Sequence, residues 1–583
     1  IILSERSSST KSSVFIDARR ESVDLKNIYV QKAVDHLKNI FIHNTESFSH
    51  FPNSALVYEL PDRLLRLFSL FGNFNSQGYT GYTGHQLQSE RHFRLFWELP
   101  IKEVFECGNK YVKMYNGGEF VRYCHPRRDV VNFGPYSKIG SENFPSYSYR
   151  IQNKNKHFKG GVGFGVRGDV LDAHLINDTD TLFTVEGQCI PVSDENSRWF
   201  LLAVLNSQLT SSLLNTFSGQ HKYSGYINLL PLPEVDESLL REVSCLTKEL
   251  YSIKSSYYEY DETTPFFSGP YLKLVSTEGS MIEPAVKGLE RKVSTDNKRV
   301  QEIHRKIGNL ILKAYKVDDQ ASVAEIERGL INAPKECVPV WGDAGHDELR
   351  DSISFDVINY FVGCVFGKFN DSPSATVCIE EDNGSNQSLS KRVDDISDIE
   401  FFDDLKSAIR MPSGQKGFSV YFSQVNGFFD DHLKKFTQSR RQSPIYWPLQ
   451  TPSASYTLWI YYHRINEQTL YSCVNDFVEP KLRQAELDLN ALQVKSSRSS
   501  SEEKELEKHS DLINELRDFR DELLRIAQFW KPNLNDGVQI TAAPLWKLFQ
   551  HKAWQKKLKE TWGKLEKGDY DWAHLACSIW PER

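Results

Sequence analysis

Four short stretches carry side chains able to hold a polyanion. The first is a glycine run, Gly160, Gly161, Gly163 and Gly165, flanked by Lys154, Lys156, His157, Lys159 and Arg167. Glycine lets backbone approach a ligand closely and takes positive φ, and the flanking cations suit phosphates. The alternative is a β-turn with a bulge on an ordinary sheet. A nucleotide-binding loop fits poorly, because no amphipathic helix opens at the last glycine and no Gly-Lys-Ser/Thr closes the run. The second stretch is the loop at 219–226, with His221, Lys222, Tyr223 and Tyr226. The third, Gly78 to Gln86, presents Tyr79, Tyr82 and His85 among glycines, suited to stacking on bases or to packing back on its own domain. The fourth is a basic run, Lys110, Lys113, Arg122, His125, Arg127 and Arg128. Guanidinium forks match phosphate and guanine alike, although a solvated charge run reads the same way.

These stretches need elements to position them. From Phe158 to Pro233 the order reads glycine-rich turn, extended run at 181–185, buried helix at 199–209, basic-aromatic loop, and Pro-terminated strand at 227–233. Upstream, Val14, Phe15 and Ile16 signal a strand, and Ile28, Val30, Ala33, Val34, Leu37 and Ile40 fall at helical spacing. Pro61 opens a short helix. Residues 236–334 turn helical, with Ile303, Ile307, Leu310, Ile311 and Ala314 as a stripe. Residues 335–475 form a second α/β module. Residues 476–530 pattern as a helical hairpin, Leu482, Leu489, Leu492 and Val494 striping one arm, and Leu506 to Ile526 the other. An aromatic-rich tail follows at 531–583. The fold class is mixed α/β (α+β), with short strands and helices, a second α/β module and a long C-terminal hairpin.

With 583 residues, several domains are expected. The formal net charge of −7 confines any DNA contact to a local basic face. Nine scattered cysteines form no Cys-x-x-Cys pair, which argues against a zinc knuckle and for a reducing cytoplasm. No apolar run is long enough to span a bilayer, so no membrane partner is expected. The chain begins Ile1, Ile2, Leu3 without Met, as expected of a piece of a longer polypeptide, or of one processed or built without its first part.

Several segments resemble the PglX-like (BREX and related phage-defence) and type IIG adenine-specific DNA methyltransferases. They are Leu201 to Leu209 with Gly225 to Pro233; Gly78 to Gly84 with Arg91 to Glu98; Ser439, Arg440, Arg441 with Pro444 to Trp447 and Tyr461 to Arg464; and Gly568 to Leu575 with Trp580 and Pro581. The resemblance implies that 1–45 leaves a methyltransferase core and that 46–235 is a target-recognition domain for double-stranded DNA. Its implied contacts are Lys156, Lys159, Arg167, Lys222, Tyr223, Tyr226, Arg127, Arg128, Tyr79 and His85. Residues 236–334 become a helical spacer. Arg440, Arg441, His463 and Arg464 are open between phosphate contacts and ties to neighbouring modules.

An adenine methyltransferase also needs a glycine-bearing loop for S-adenosylmethionine and an Asn/Asp-Pro-Pro-aromatic motif that grips the flipped base. No Pro-Pro pair occurs in the sequence. S-adenosylmethionine is therefore expected in a catalytic domain or subunit elsewhere, and this chain is expected to be inactive alone. No nuclease core, Ser-His-Asp set or metal cluster stands out, and His304 and His574 sit in ordinary helical patterns. The rival class is an interaction scaffold of a defence complex, in which hairpin and tail bind other phage-defence proteins. A third reading is a specificity subunit of restriction type.

Overall fold

The computed structural model describes residues 2–3, 12–16, 40–52, 57–99, 111–132, 149–176, 181–218, 221–275, 282–328, 333–369, 376–379, 388–396 and 418–579, with scattered positions between 22 and 32. Three antiparallel strands open the chain: β1 (Ile2–Leu3), β2 (Ser12–Ile16) and β3 (Ile40–Asn44), in that order across the sheet. Ile40 starts a strand instead of closing the expected helix. Ala33, Val34 and Leu37 of that helix lie outside the described residues, as do Lys110, Gly219, Gln220, Trp580 and Pro581.

Two small sheets hold the middle of the chain. One is mixed, with β4 (Phe93–Leu95), β5 (Tyr111–Tyr115), β6 (Asp129–Asn132) and a strand at Thr181–Phe183. That last strand runs parallel to β5, and the other pairings are antiparallel. The other is antiparallel, with Gly161–Gly165 central between Ala173–Ile176 and Gly187–Pro191. The glycine run is thus a buried strand, not an exposed turn. The physical reason is crowding. A Cβ on Gly163 would lie 2.7 Å from Ile176 Cδ1 and 2.8 Å from the Tyr115 ring, and one on Gly165 would lie 2.6 Å from Asp172 Oδ1.

The buried helix α1 (Glu195–Leu205) starts where the Asp194 side chain accepts from Ser197 N at 2.7 Å, a common N-cap bond. It ends at Asn206, and α2 (Gln208–Ser218) follows. Asn206 explains the break. Its side chain accepts from Ala173 N and donates to Ala173 O, both at 2.9 Å, acting as a strand partner at the edge of the glycine sheet. The expected strand at 227–233 is instead a helical turn, Ser224–Ile227, with Pro231 making one bridge to Asn73. Pro231 and Pro233 lack the N–H groups a strand ladder needs.

Long helices α3 (Glu237–Tyr258) and α4 (Ile282–Ala314) pack against this region, α4 burying Val300, Ile303, Ile307 and Ile311 on one stripe. Helix α5 (His346–Val365) then leads to an antiparallel sheet of Val377–Ile379, Thr457–Tyr461 and Tyr446–Gln450, its two longer strands wholly buried. Helices α6 (Glu479–Gln493) and α7 (Ser500–Ala527) form the hairpin. Ser499 and Glu502 close a capping box at the start of α7.

One apolar core runs from Phe15 to Ala576. Segments far apart in sequence are locked across it. The Trp97 indole donates to Ser443 O at 3.1 Å, and His463 Nε2 donates to Trp97 O at 2.8 Å. Arg94 donates to Asn535 O at 2.9 Å, and Glu98 accepts from Val538 N at 3.0 Å. Arg441 pairs with Asp129. Arg441 and His463 are therefore ties between modules.

Candidate nucleic-acid interface

Two of the stretches expected to meet DNA lie side by side. Asn228 accepts from Gly81 N at 2.6 Å and donates back to Gly81 O at 3.2 Å. Ser224 N donates to Gln188 Oε1 at 2.7 Å, and Gln188 Nε2 reaches Thr83 Oγ1 at 3.3 Å. Tyr82 exchanges backbone hydrogen bonds with Cys189 on the glycine sheet. The strand Gly187–Pro191, which pairs with the glycine strand, thus carries both loops.

The surface reads in sequence. Arg167 is exposed, its backbone bridges His221, and its guanidinium pairs with half-exposed Glu186 at 2.8 Å. His221 lies against Tyr223 with the rings 4° from parallel and 5.7 Å between centroids. Tyr223 is 45% and Tyr226 37% exposed. Beyond Ser224 and Gly81, Lys156 Nζ sits 4.6 Å over the Tyr82 ring. Lys159 is exposed on the chain leaving that corner. Tyr79 is half-buried, its hydroxyl donating to Ser197 Oγ at 3.2 Å.

Three expected contact residues are placed inside, and a fourth, Arg128, is half-buried. Lys222 is fully buried, with Nζ donating to Asn215 Oδ1 at 2.8 Å and its backbone N–H to Val166 O at 2.8 Å. Burial pushes its amine down to about 8, while Asp169 and Asp172 pull the other way. His85 is buried and stacked on His157 at 3.9 Å, and His157 in turn stacks on Phe183 at 4.0 Å. His85 Nδ1 accepts from Gln152 N at 3.0 Å. Burial, then the neighbouring His157, depresses its pKa to about 3, so it stays neutral. Arg127 is buried beneath Phe266, its carbon centre 5.6 Å from the ring. Arg128 bridges Glu119 at 3.0 Å and Asp261 at 3.1 Å and donates to Thr263 O. Lys222, His85 and Arg127 are interior, which corrects their expected placement on the surface, and half-buried Arg128 is engaged by Glu119 and Asp261. A run of basic letters does not reveal whether acidic partners arrive from distant elements, as Asp261 does.

The sequence alone assigns Glu186 and Asn206 no role. An Asn-Ser interruption in an otherwise apolar helix was the available signal for Asn206. Nothing local pointed to Glu186, which reaches Arg167 across a sheet.

S-adenosylmethionine does not fit the glycine strand. The space its missing Cβ atoms leave is filled by Tyr115, Ile176 and Asp172, and no cradle remains. Among the described residues no group of three or more His, Cys, Asp or Glu could hold a metal ion, and no helix is long and apolar enough to cross a membrane.

No family profile matches the chain. It is similar to the adenine-specific methyltransferase PglX of Lacticaseibacillus casei (strain Zhang), 21% identical over 477 residues. The match covers 74% of this chain and 38% of that protein. The chain thus spans well under half the length of the relative it matches.

Proposed function

We propose that this chain recognises the DNA target of an S-adenosylmethionine-dependent, adenine-specific methyltransferase in a bacterial, cytoplasmic phage-defence system of the BREX type or a related restriction-modification system. Residues 46–235 hold duplex DNA for base flipping by a catalytic domain, fused or in another subunit. The reading is supported by two adjacent groups, Arg167 with His221 and Tyr223 on one side and Lys156 over Tyr82 on the other, their segments meeting where Gly81 adjoins Ser224. Cations beside aromatic rings suit phosphates and bases together. The likeness to PglX supplies the reaction class. Lys156, Lys159 and Arg167 take phosphates or base edges, and Tyr79, Tyr223 and Tyr226 pack beside them.

Selection from a pool of randomised duplexes tests the reading. Enrichment of one motif is the expected result, and recovery of a motif-free pool contradicts it. The rival is a protein-interaction scaffold, favoured by Leu487 and Val494, exposed 63% and 85% on the hairpin. It predicts capture of protein partners without a DNA motif.

A further inference from the structure

Paired DNA shows a protein the edges of its bases and hides their faces, whereas an unpaired base offers a face for stacking. Tyr223 is mounted to receive a face. Its segment is pinned on both sides, by Lys222 N to Val166 O at 2.8 Å and by Ser224 N to Gln188 Oε1 at 2.7 Å. The side chain between those anchors is nonetheless 45% exposed. His221 packs parallel to the ring in an offset stack, at 4° and 5.7 Å between centroids. A base inserted between two rings needs roughly 7 Å, twice the ~3.4 Å rise of stacked bases, so the pair is an offset-stacked platform and not an intercalation slot. Arg167 adjoins His221, and Lys156 lies beyond Ser224 on the other side.

We propose that the Tyr223 platform takes one unpaired nucleobase, its flanking phosphates lying toward Arg167 and Lys156. The inference rests on the DNA reading above and adds that the recognised DNA is locally opened at this surface. Arg167 is exposed and Glu186 half-exposed, so a phosphate can replace the Glu186 carboxylate while that carboxylate keeps contact with water.

Fluorescence anisotropy on the whole chain at low salt tests it with three probes: a perfect duplex, the same duplex carrying one bulged nucleotide, and the single strand. The bulged duplex is expected to bind about fivefold or more tightly than the perfect one, in keeping with the stacking gain for one base. Tyr223→Ala should bring that ratio to about one, and Tyr223→Phe should keep it. His221→Ala should lower it, because the ring loses its stacking partner. A ratio of one in the wild type, or a ratio that Tyr223→Ala leaves intact, overturns the inference alone. Binding of none of the probes overturns it together with the DNA reading.

Discussion

Asp261 is buried between Arg128 at 3.1 Å and Lys435 at 3.2 Å, and Lys435 also reaches Asp356 at 3.0 Å. Burial alone would raise the Asp261 pKa. The Lys435 and Arg128 charges, with hydrogen bonds from Thr263, outweigh that and hold the carboxyl well below its ordinary range. A depressed carboxylate stabilises the fold above its unfolded pKa of about 3.9, and this contribution is lost as pH falls through the folded value. Asp261→Asn leaves two largely buried cations, Arg128 and Lys435, with fewer partners. We expect a loss of about 3–5 kcal/mol near neutral pH, with a flatter acid limb in urea titrations from pH 7 downward. A loss under 1 kcal/mol would contradict the pairing. Lys222 works in the opposite sense. Its amine is lowered to about 8, so the unfolded chain binds the proton more tightly between roughly pH 8 and 10.4 and stability from this group rises with pH there. Lys222→Met should remove that rise, measured as the difference in melting temperature from wild type across this window.

The hairpin divides along its length. Leu516, Phe519, Leu523 and Ile526 on α7 and Leu482 and Ala485 on α6 are buried at its base, whereas Leu487 and Val494 point to solvent nearer its tip. Leu516→Ala or Leu523→Ala should cost about 2–5 kcal/mol. Val494→Ser should stay within about 0.5 kcal/mol, both read from denaturant midpoints. Equal costs at base and tip would mean the tip is covered by something in solution. The hairpin was legible because its period is local, and the Ser499 capping box marks where α7 starts. The expectation that Val494 joins the first-arm stripe failed, since helical spacing says which face a residue is on and not how far along the helix the partner extends. The glycine run shows the same limit. Its letters permit close approach, but only the fold says that the approaching groups are Tyr115, Ile176 and Asp172 instead of a ligand. Tyr223, Tyr226 and Arg167 are at the surface, as their place in polar, glycine-containing segments led one to expect. Lys222, one position away, alternates inward.

Across the whole molecule, residues 91–98 are tied to 443, 463, 535 and 538 by the hydrogen bonds of Trp97, Arg94 and Glu98. Glu336 meets Arg122 at 2.6 Å and also pairs with Lys254, joining β-rich and helical regions in the interior. A core shared in this way predicts one calorimetric unfolding transition. Two well-separated transitions would show that residues 46–235 have a core of their own. Arg122, Lys254, Arg128 and Lys435 are paired with carboxylates from distant elements, and Lys156, Lys159 and Arg167 are the charges proposed to meet DNA. Anisotropy with a duplex carrying the selected motif, from low to physiological salt, measures that directly. Each phosphate contact contributes about −0.9 to the slope of log affinity against log salt. The Lys156, Lys159 and Arg167 triple-alanine variant should bind more weakly, with a slope shallower by about 2 to 3. An unchanged slope and affinity in that variant would contradict the assignment of this surface to DNA.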